Sequence, residues 1–496
     1  MIRAFPFLFR HLGMLGLGMI ALGLSTSHSL MSIGLGLACL GLLGSGPAHL
    51  GYPNSEKWWL LPLLFCLTAL PALMALPDPA ALRELRLKLP LLLLPLAWYH
   101  LNPKPKEIKV LLWGVAVGTL CAFTVGALKF SEAWPQVQAR LFSPFISNVR
   151  MGILLTLTAA GLWWVDRSWR SWTFIAFSLI YLLFLQAITA ILLSILLIPL
   201  LLPSKGRLWA FAILLLGSSA LGLWTWSMYQ PDPEPEFYPL YTAQGHPYKY
   251  DFNDPSIENG KYVWRYVCPF ELRKEWSKRS AIHIDSAHNL NYPIYPTLVR
   301  YLTSRGLRKD AQGISALSPL EIKAIESGVA NWLELEKPPI RARLHELIRD
   351  MHYYSKTGNP NHKSLPIRIE LWKGALNLLV QHPWLGVGID SLRPQLAQHL
   401  KHMGSPLKGT YGTLNPHNQW LFLALSAGIP FLLLWLLLWF SPVLFLKNSL
   451  NSFFVFFFAM ISLAMCTEDV LDTQAGVFHV VFFWVLTLQS PVSAKN

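Results

Sequence analysis

Long apolar runs separated by short polar stretches fill both ends of the chain, and one broad polar stretch lies between them. A hydrocarbon core of about 30 Å needs roughly 20 apolar residues per helix, somewhat fewer where neighbouring helices cover the ends. Twelve runs qualify, at 7–24, 29–46, 58–77, 87–101, 108–128, 149–165, 171–187, 188–203, 207–228, 418–440, 452–467 and 475–490. Phe174 to Leu202 is nearly continuous, so it reads either as one long tilted helix or as two helices joined by a tight turn at Gln186–Ala190. The pattern predicts an all-α polytopic membrane protein of about twelve transmembrane helices. Residues 1–228 supply nine of them, 229–416 form one large hydrophilic loop domain, and 417–496 supply the last three.

Within the loop, Pro319–Leu335 and Ile340–Tyr354 have helical spacing of apolar positions, with Ser318 placed to cap the first. Arg368–Gln381 is a stronger amphipathic helix, stopped by Pro383 and the Gly386/Gly388 pair. The segment 229–365 contains no apolar run long enough to span and no GxxxxGK[ST] phosphate loop.

Composition supports the membrane reading: 53% of the 496 residues are apolar and only 14% charged. The first run follows Arg3 and Arg10, exceeds the length of a signal-peptide core and shows no cleavage site, so it is read as a retained helix. Net charge is +14, which would suit nucleic acid if it were clustered in a soluble module. It is not clustered. With the N-terminus inside, the short cytoplasmic segments carry twelve Lys and Arg, namely Arg3, Arg10, Lys57, Lys104, Lys106, Lys109, Arg167, Arg170, Lys205, Arg207, Lys447 and Lys495. The opposite short segments carry six, Arg83, Arg86, Lys88, Lys129, Arg140 and Arg150, while the loop holds 23 against 18 acids. That bias places both termini in the cytoplasm and the loop on the other side. Nucleic acid is therefore excluded as a partner. Four of the five cysteines sit in apolar runs and only Cys268 in a polar one, so no disulfide framework or cysteine metal site follows.

Ionisable groups at membrane depth are costly and mark function or pairing. Four clusters qualify, all on the predicted non-cytoplasmic side. Arg150 opens the sixth run beside Ser143, Ser147 and Asn148, as an anion site requires, although an interfacial Arg snorkelling to headgroups explains the position equally well. Arg368 lies on the first turn of its helix, where a cation opposes the dipole unless an anion is near; Glu370 is one local partner. His417 stands at the lip of the tenth run, followed by Asn418 and Gln419, and is either a structural histidine or a proton acceptor suited to neutral pH. Glu468, Asp469 and Asp472 lie between the last two runs, as hairpin caps or as carboxylates that hold the arginines. Arg83, Arg86 and Lys88 break the positive-inside bias and are candidates for phosphate or anionic-lipid contact. His283/Asp285/His288 and His399/His402 have ligand-like spacing without a third fixed ligand, so no metal and no cofactor is expected.

Three segments resemble the O-antigen ligase and polymerase superfamily: RIELWKGAL…HPWLGVG from Arg368 to Gly388, PHNQWLFLALSAGIP at 416–430, and SNVRMGILL opening the sixth run. TEDVLDTQAGV at 467–477 resembles a signature of the ligase branch. The resemblance implies a GT-C-like polytopic glycosyltransferase of the bacterial inner membrane, metal-independent and active at the periplasmic face. It would take an undecaprenyl-diphosphate-linked glycan donor and, in ligases, a lipid A-core acceptor. It also implies that Arg150 and Arg368 hold the donor's diphosphate and that His417 is the general base; Asn418, Glu468, Asp469, Arg83 and Arg86 would support them. Chemistry agrees, since a departing glycosyl diphosphate needs fixed cations where no metal is available. The alternatives are a polymerase joining lipid-linked repeats and, from a different class, a lipid-glycan transporter, which would place charge at mid-span in two related halves.

Overall fold

The computed structural model describes residues 4–43, 60–133, 139–202, 204–229, 231–287, 293–335, 340–407, 415–445 and 451–487. Arg3, Lys57, His288, Lys447 and Lys495 lie outside the described residues. Each apolar run contains a helix: α1 (Ala4–Thr26), α2 (His28–Leu43), α3 (Leu60–Met74), α4 (Pro79–Leu101), α5 (Pro105–Ala133), α6 (Asn148–Val165), α7 (Trp169–Leu185), α8 (Ile188–Leu197) and α9 (Ser204–Tyr229). A polar stretch follows, with β1 (Ile257–Glu258), β2 (Lys261–Tyr262), α10 (Pro269–Trp276), α11 (Ile294–Ser304), α12 (Ala311–Ser315), α13 (Pro319–Glu326), α14 (Ile340–Thr357), α15 (Ser364–Gln381) and α16 (Leu392–His402). The chain closes with α17 (Gln419–Phe445), α18 (Ser452–Ala464) and α19 (Gln474–Thr487).

Among the described residues five helical stretches are long and apolar enough to cross a membrane: Phe7–Thr26, Pro105–Glu132, Asn148–Val165, Gly206–Trp224 and Gln419–Leu444. Six more apolar helices are shorter, at 10–17 residues. The run from Phe174 to Leu202 is two helices, because Gln186 adopts a left-handed conformation (φ +50°) and ends α7. Asn148 Nδ2 donates to the buried Leu185 carbonyl at 3.1 Å, so the first residue of α6 satisfies the end of α7.

Contacts divide the chain into two units. The first comprises Met1–Val125, Ser143–Leu214 and Arg368–Asn496; the second comprises Gly126–Phe142 and Leu215–Ile367. Residues 368–416, polar in sequence, are thus grouped with the apolar helices. In the first unit α19 is the central helix, buried at every position from Ala475 to Thr487. Stacked indoles of Trp435 and Trp439, 5.2 Å apart, pack with Phe458 and Trp484 beside it. Trp439 Nε1 donates to Ser462 Oγ at 2.9 Å, which removes the cost of a buried indole N–H.

α17 is not continuous. Gly428 sits at φ +91° and breaks it, and the turn after α15 fills the break. Val387 N donates to Leu425 O at 2.7 Å and Ile429 N to Pro383 O at 2.7 Å, so backbone groups freed by the kink are paired. The approach tolerates no side chain: a Cβ on Gly428 would lie 2.0 Å from Trp384 O, and one on Gly386 2.3 Å from Leu425 O.

The second unit is a small helical domain around Trp276, Leu298, Tyr301, Leu302, Ile314 and Ile325. Its buried Glu258 accepts from Arg300 Nε at 2.6 Å, Arg349 at 3.2 Å and Asn331 Nδ2 at 2.9 Å; the two guanidiniums hold its carboxyl below the usual range against burial, the largest influence, which raises it. Ser318 caps α13 in a full capping box with Glu321. The helix expected over Pro319–Leu335 stops at Glu326, because Gly328 (φ +99°) turns the chain before a short 3-10 turn at Trp332–Leu335.

Gly428→Ala is expected to lower the melting temperature of the purified protein by several degrees, whereas Gly36→Ala, with open space around its Cβ, leaves it unchanged. Equal melting of the two variants would contradict the description of the kink.

Candidate functional site

The turn Thr467–Thr473 between α18 and α19 gathers side chains from four distant parts of the first unit. Its shape is fixed from both sides. Leu471 N donates to Gln419 Oε1 at 2.7 Å, and Leu471 O accepts from Lys88 Nζ at 2.6 Å. Asn418 caps α17, its Oδ1 accepting from Trp420 N at 3.0 Å and Leu421 N at 3.1 Å. Asn418 also ties this helix start to the turn: its Nδ2 donates to Cys466 O at 2.9 Å and its N–H to Asp469 Oδ1 at 3.0 Å.

These bonds put His417 against Asp469, with Nδ1 3.5 Å from Oδ2. His417 has φ +52°, a left-handed conformation that costs a residue with a Cβ about 1–2 kcal/mol. Strain of this kind persists where surrounding contacts over-determine it. Here the Asn418 cap and the Asn418 N–H bond to Asp469 do so.

Three cations meet the other acids of the turn. Arg368 pairs with Glu468 at 2.6 Å, not with Glu370, which binds Lys373 instead at 2.9 Å. Arg393, from the start of α16, lies 3.3 Å from Asp472 and 3.5 Å from Glu84. Lys88 lies 3.0 Å from Glu84 and 3.7 Å from Asp472, almost completely buried. Asn415 also donates to Asp472.

Arg150 is different. No carboxylate lies within ion-pair distance of it among the described residues, and its Nε is buried without a hydrogen-bond partner. It lines a cavity of about 300 Å³ with His28, Phe145, Ile146, Ser147 and Thr473, at the lower end of the volumes typical of ligand sites. Arg368 and His417 do not line that cavity. Their link to Arg150 is electrostatic: burial, then the charges of Arg368 and Arg150, push the His417 imidazole down to about 4, so it is neutral near pH 7. Burial, then Asp472 and Glu468, push the Asp469 carboxyl up to about 8, against the Asn418 N–H bond and the charge of Arg150. Between about pH 4 and 8 this imidazole and this acid therefore stand side by side uncharged. An anion entering beside Arg150 and Arg368 would cancel the field that weakens the base.

Of the residues expected from sequence, Arg150, Arg368, His417, Asn418, Glu468 and Asp469 are brought into one region. Arg83 and Arg86 are not. They are exposed, and no described contact joins them to the site. The expectation of anion contact fails for Lys88, which is buried in the ion pair with Glu84 and Asp472. Sequence reasoning missed Arg393, Glu84 and Gln419. The i,i+4 spacing of Glu84 and Lys88 was a usable signal, and nothing local marked Arg393.

Residues 328–436 match the O-antigen ligase family. That segment is similar to O-antigen ligases. The match covers about a fifth of the sequence and includes Arg368, Asn418 and His417, whereas Arg150 and the Glu468–Asp472 turn lie outside it. Among curated proteins none matches the chain. The similarity and the five long apolar helices among the described residues both point to a multi-pass membrane protein.

Removing one partner from a buried ion cluster costs about 3–5 kcal/mol because a charge is stranded. Lys88→Met is expected to lower the melting temperature strongly, and Lys88→Met combined with Glu84→Leu to recover part of the loss. A double variant no more stable than the single one would show that the pair is not coupled.

Proposed function

We propose that the protein is an O-antigen ligase, a metal-independent glycosyltransferase that moves a polysaccharide from undecaprenyl diphosphate to a hydroxyl of lipid A-core. In this reading the chain lies in the bacterial inner membrane with both termini in the cytoplasm and the site at the periplasmic face. The observation that carries it is the neutral, strained His417 held beside Asp469 in the combined field of Arg150 and Arg368.

The acceptor oxygen attacks the anomeric carbon while the bond from that carbon to the diphosphate oxygen breaks. Its electron pair leaves with the diphosphate, where Arg150 and Arg368 offset the growing charge; guanidinium is suited to this, being always charged and bidentate toward phosphate. The acceptor proton passes to His417. Arg150, which has no carboxylate partner among the described residues, is free to take the anion directly, whereas Arg368 exchanges part of its contact with Glu468. Donor binding raises the proton affinity of His417 by neutralising its two cations, so the base strengthens only when the donor is present.

Asp469 sets the pH dependence. Its carboxyl, raised to about 8, is protonated below that value and ionised above it, and the carboxylate then accepts the Nδ1 proton of His417 and leaves Nε2 as the base. Transfer is expected to rise from pH 6 to about 8 and then level, and Asp469→Asn to flatten that rise; an unaltered profile in the variant would remove Asp469 from the mechanism.

His417→Ala is expected to lower turnover by about 10²–10⁴, the usual worth of positioned proton transfer, with donor affinity retained. Arg150→Ala is expected to weaken donor binding. Deleting the gene separates the ligase from a polymerase: the ligase reading predicts bare lipid A-core with full-length polymer left on the carrier. Core bearing a single repeat would instead assign the protein to polymerisation.

A further inference from the structure

α15 and the turn after it carry apolar side chains that no part of the described chain covers. Leu376 and Val380 lie four residues apart on the helix and Trp384 and Leu385 in the turn that follows it, and they are 52%, 77%, 75% and 83% exposed. The buried side of the same helix is committed: Leu371, Ala375 and Leu378 face inward, and Gly374 lets Leu400 of α16 approach so closely that a Cβ would lie 2.4 Å from it. A polar edge borders the stripe, where Lys373 pairs with Glu370 at 2.9 Å and His399 bonds Asn377 at 2.8 Å. The helix is thus apolar in two directions and polar in a third.

What covers the stripe follows from where its end is fixed. Pro383 and Val387 hydrogen-bond Ile429 and Leu425 across the break in α17, a helix apolar and long enough to span a bilayer. Gly428 is the tenth residue of α17, so at 1.5 Å per residue the break lies about 14 Å along the helix from Gln419. Within hydrocarbon a kink needs protein partners for its freed backbone groups, and the turn Pro383–Val387 supplies them. Beyond the break, Leu433, Leu434 and Leu437 of α17 are exposed, so the end of the stripe is fixed to a helix that also presents an apolar outward face.

We infer that α15 is an interfacial anchor whose Leu376, Val380, Trp384 and Leu385 are immersed in the acyl chains of the bilayer. The inference rests on α17 crossing a membrane and not on the transfer reaction. Its occupant is lipid because its end is hydrogen-bonded to a helix long and apolar enough to span a bilayer, because it holds no charge, and because an apolar face bordered by the Lys373 edge is the pattern of an interfacial helix. The consequence for the site is geometric: Arg368, the fifth residue of the same helix, is held at a set height relative to the membrane surface, the height at which a lipid-borne anion presents itself.

Nitroxide labels at single cysteines test this in the full chain, with its five native cysteines replaced and the protein reconstituted in phosphatidylethanolamine–phosphatidylglycerol nanodiscs. Val380→Cys and Leu385→Cys should match Leu437→Cys, with high access to oxygen and at least about tenfold less access to a water-soluble nickel chelate than Lys373→Cys. Chelate access at 380 and 385 equal to that at 373 would overturn the inference, because the face would be in water. Low access to both reagents would overturn it in favour of a second copy or another protein. Should the cysteine-replaced chain not stay monodisperse, p-benzoylphenylalanine at position 380 of the native chain decides by mass: lipid adducts support immersion, and protein adducts refute it. A chain that proved to lack transferase activity would leave each of these readouts unchanged.

Discussion

Everything at the site hangs on the short turn between α18 and α19, where three carboxylates within five residues face groups brought from four other segments. Glu468 holds Arg368, Asp472 holds Lys88 and Arg393, and Asp469 faces His417. Charges inside a membrane protein are tolerated when they are paired, and each pair here is also a crosslink between segments remote in sequence. Lys88 donates to the Leu471 carbonyl as well as lying beside Glu84 and Asp472, so it fixes both the turn's backbone and its acids. The result is an acidic ledge that fixes the positions of Arg368, Arg393 and Lys88, as the proposed diphosphate site would need.

Burial is the main reason that the imidazole is a weak base at rest. The charges of Arg368 and Arg150 depress it further. Binding and base strength are therefore linked in one direction: the anion that fills the site relieves the charge that weakens the base. In the proposed reaction such coupling would discourage proton abstraction from water or from a stray hydroxyl before the donor arrives.

Much of this was legible in the sequence because membrane cost makes polar residues conspicuous. Arg150 and His417 stand at the first turn of a helix or just before one, where apolar periodicity shows the helices begin, whereas α15 starts at Ser364 and puts Arg368 past its first turn. The kink in α17 was not legible, since Gly428 and Pro430 lie in an otherwise uninterrupted apolar run and the partner turn at Pro383–Val387 lies some forty residues earlier. Pairings were hidden for the same reason. Glu84 and Lys88 announce each other at helical spacing, but Arg393 and Asp472 meet them only through tertiary packing. Gln186 ends α7 through a single left-handed residue, a choice that hydropathy does not record.

The central claim is that one electrostatic site links Arg150 and Arg368 to His417, and titrating the His417 imidazole by NMR with and without inorganic pyrophosphate tests it most directly. Histidine-labelled protein in nanodiscs, with His417→Asn to assign the resonance, gives the ionisation midpoint in each state. The account predicts a midpoint near 4 alone and a rise of at least one pH unit with pyrophosphate, abolished in Arg150→Ala. A midpoint that pyrophosphate leaves unchanged would contradict it.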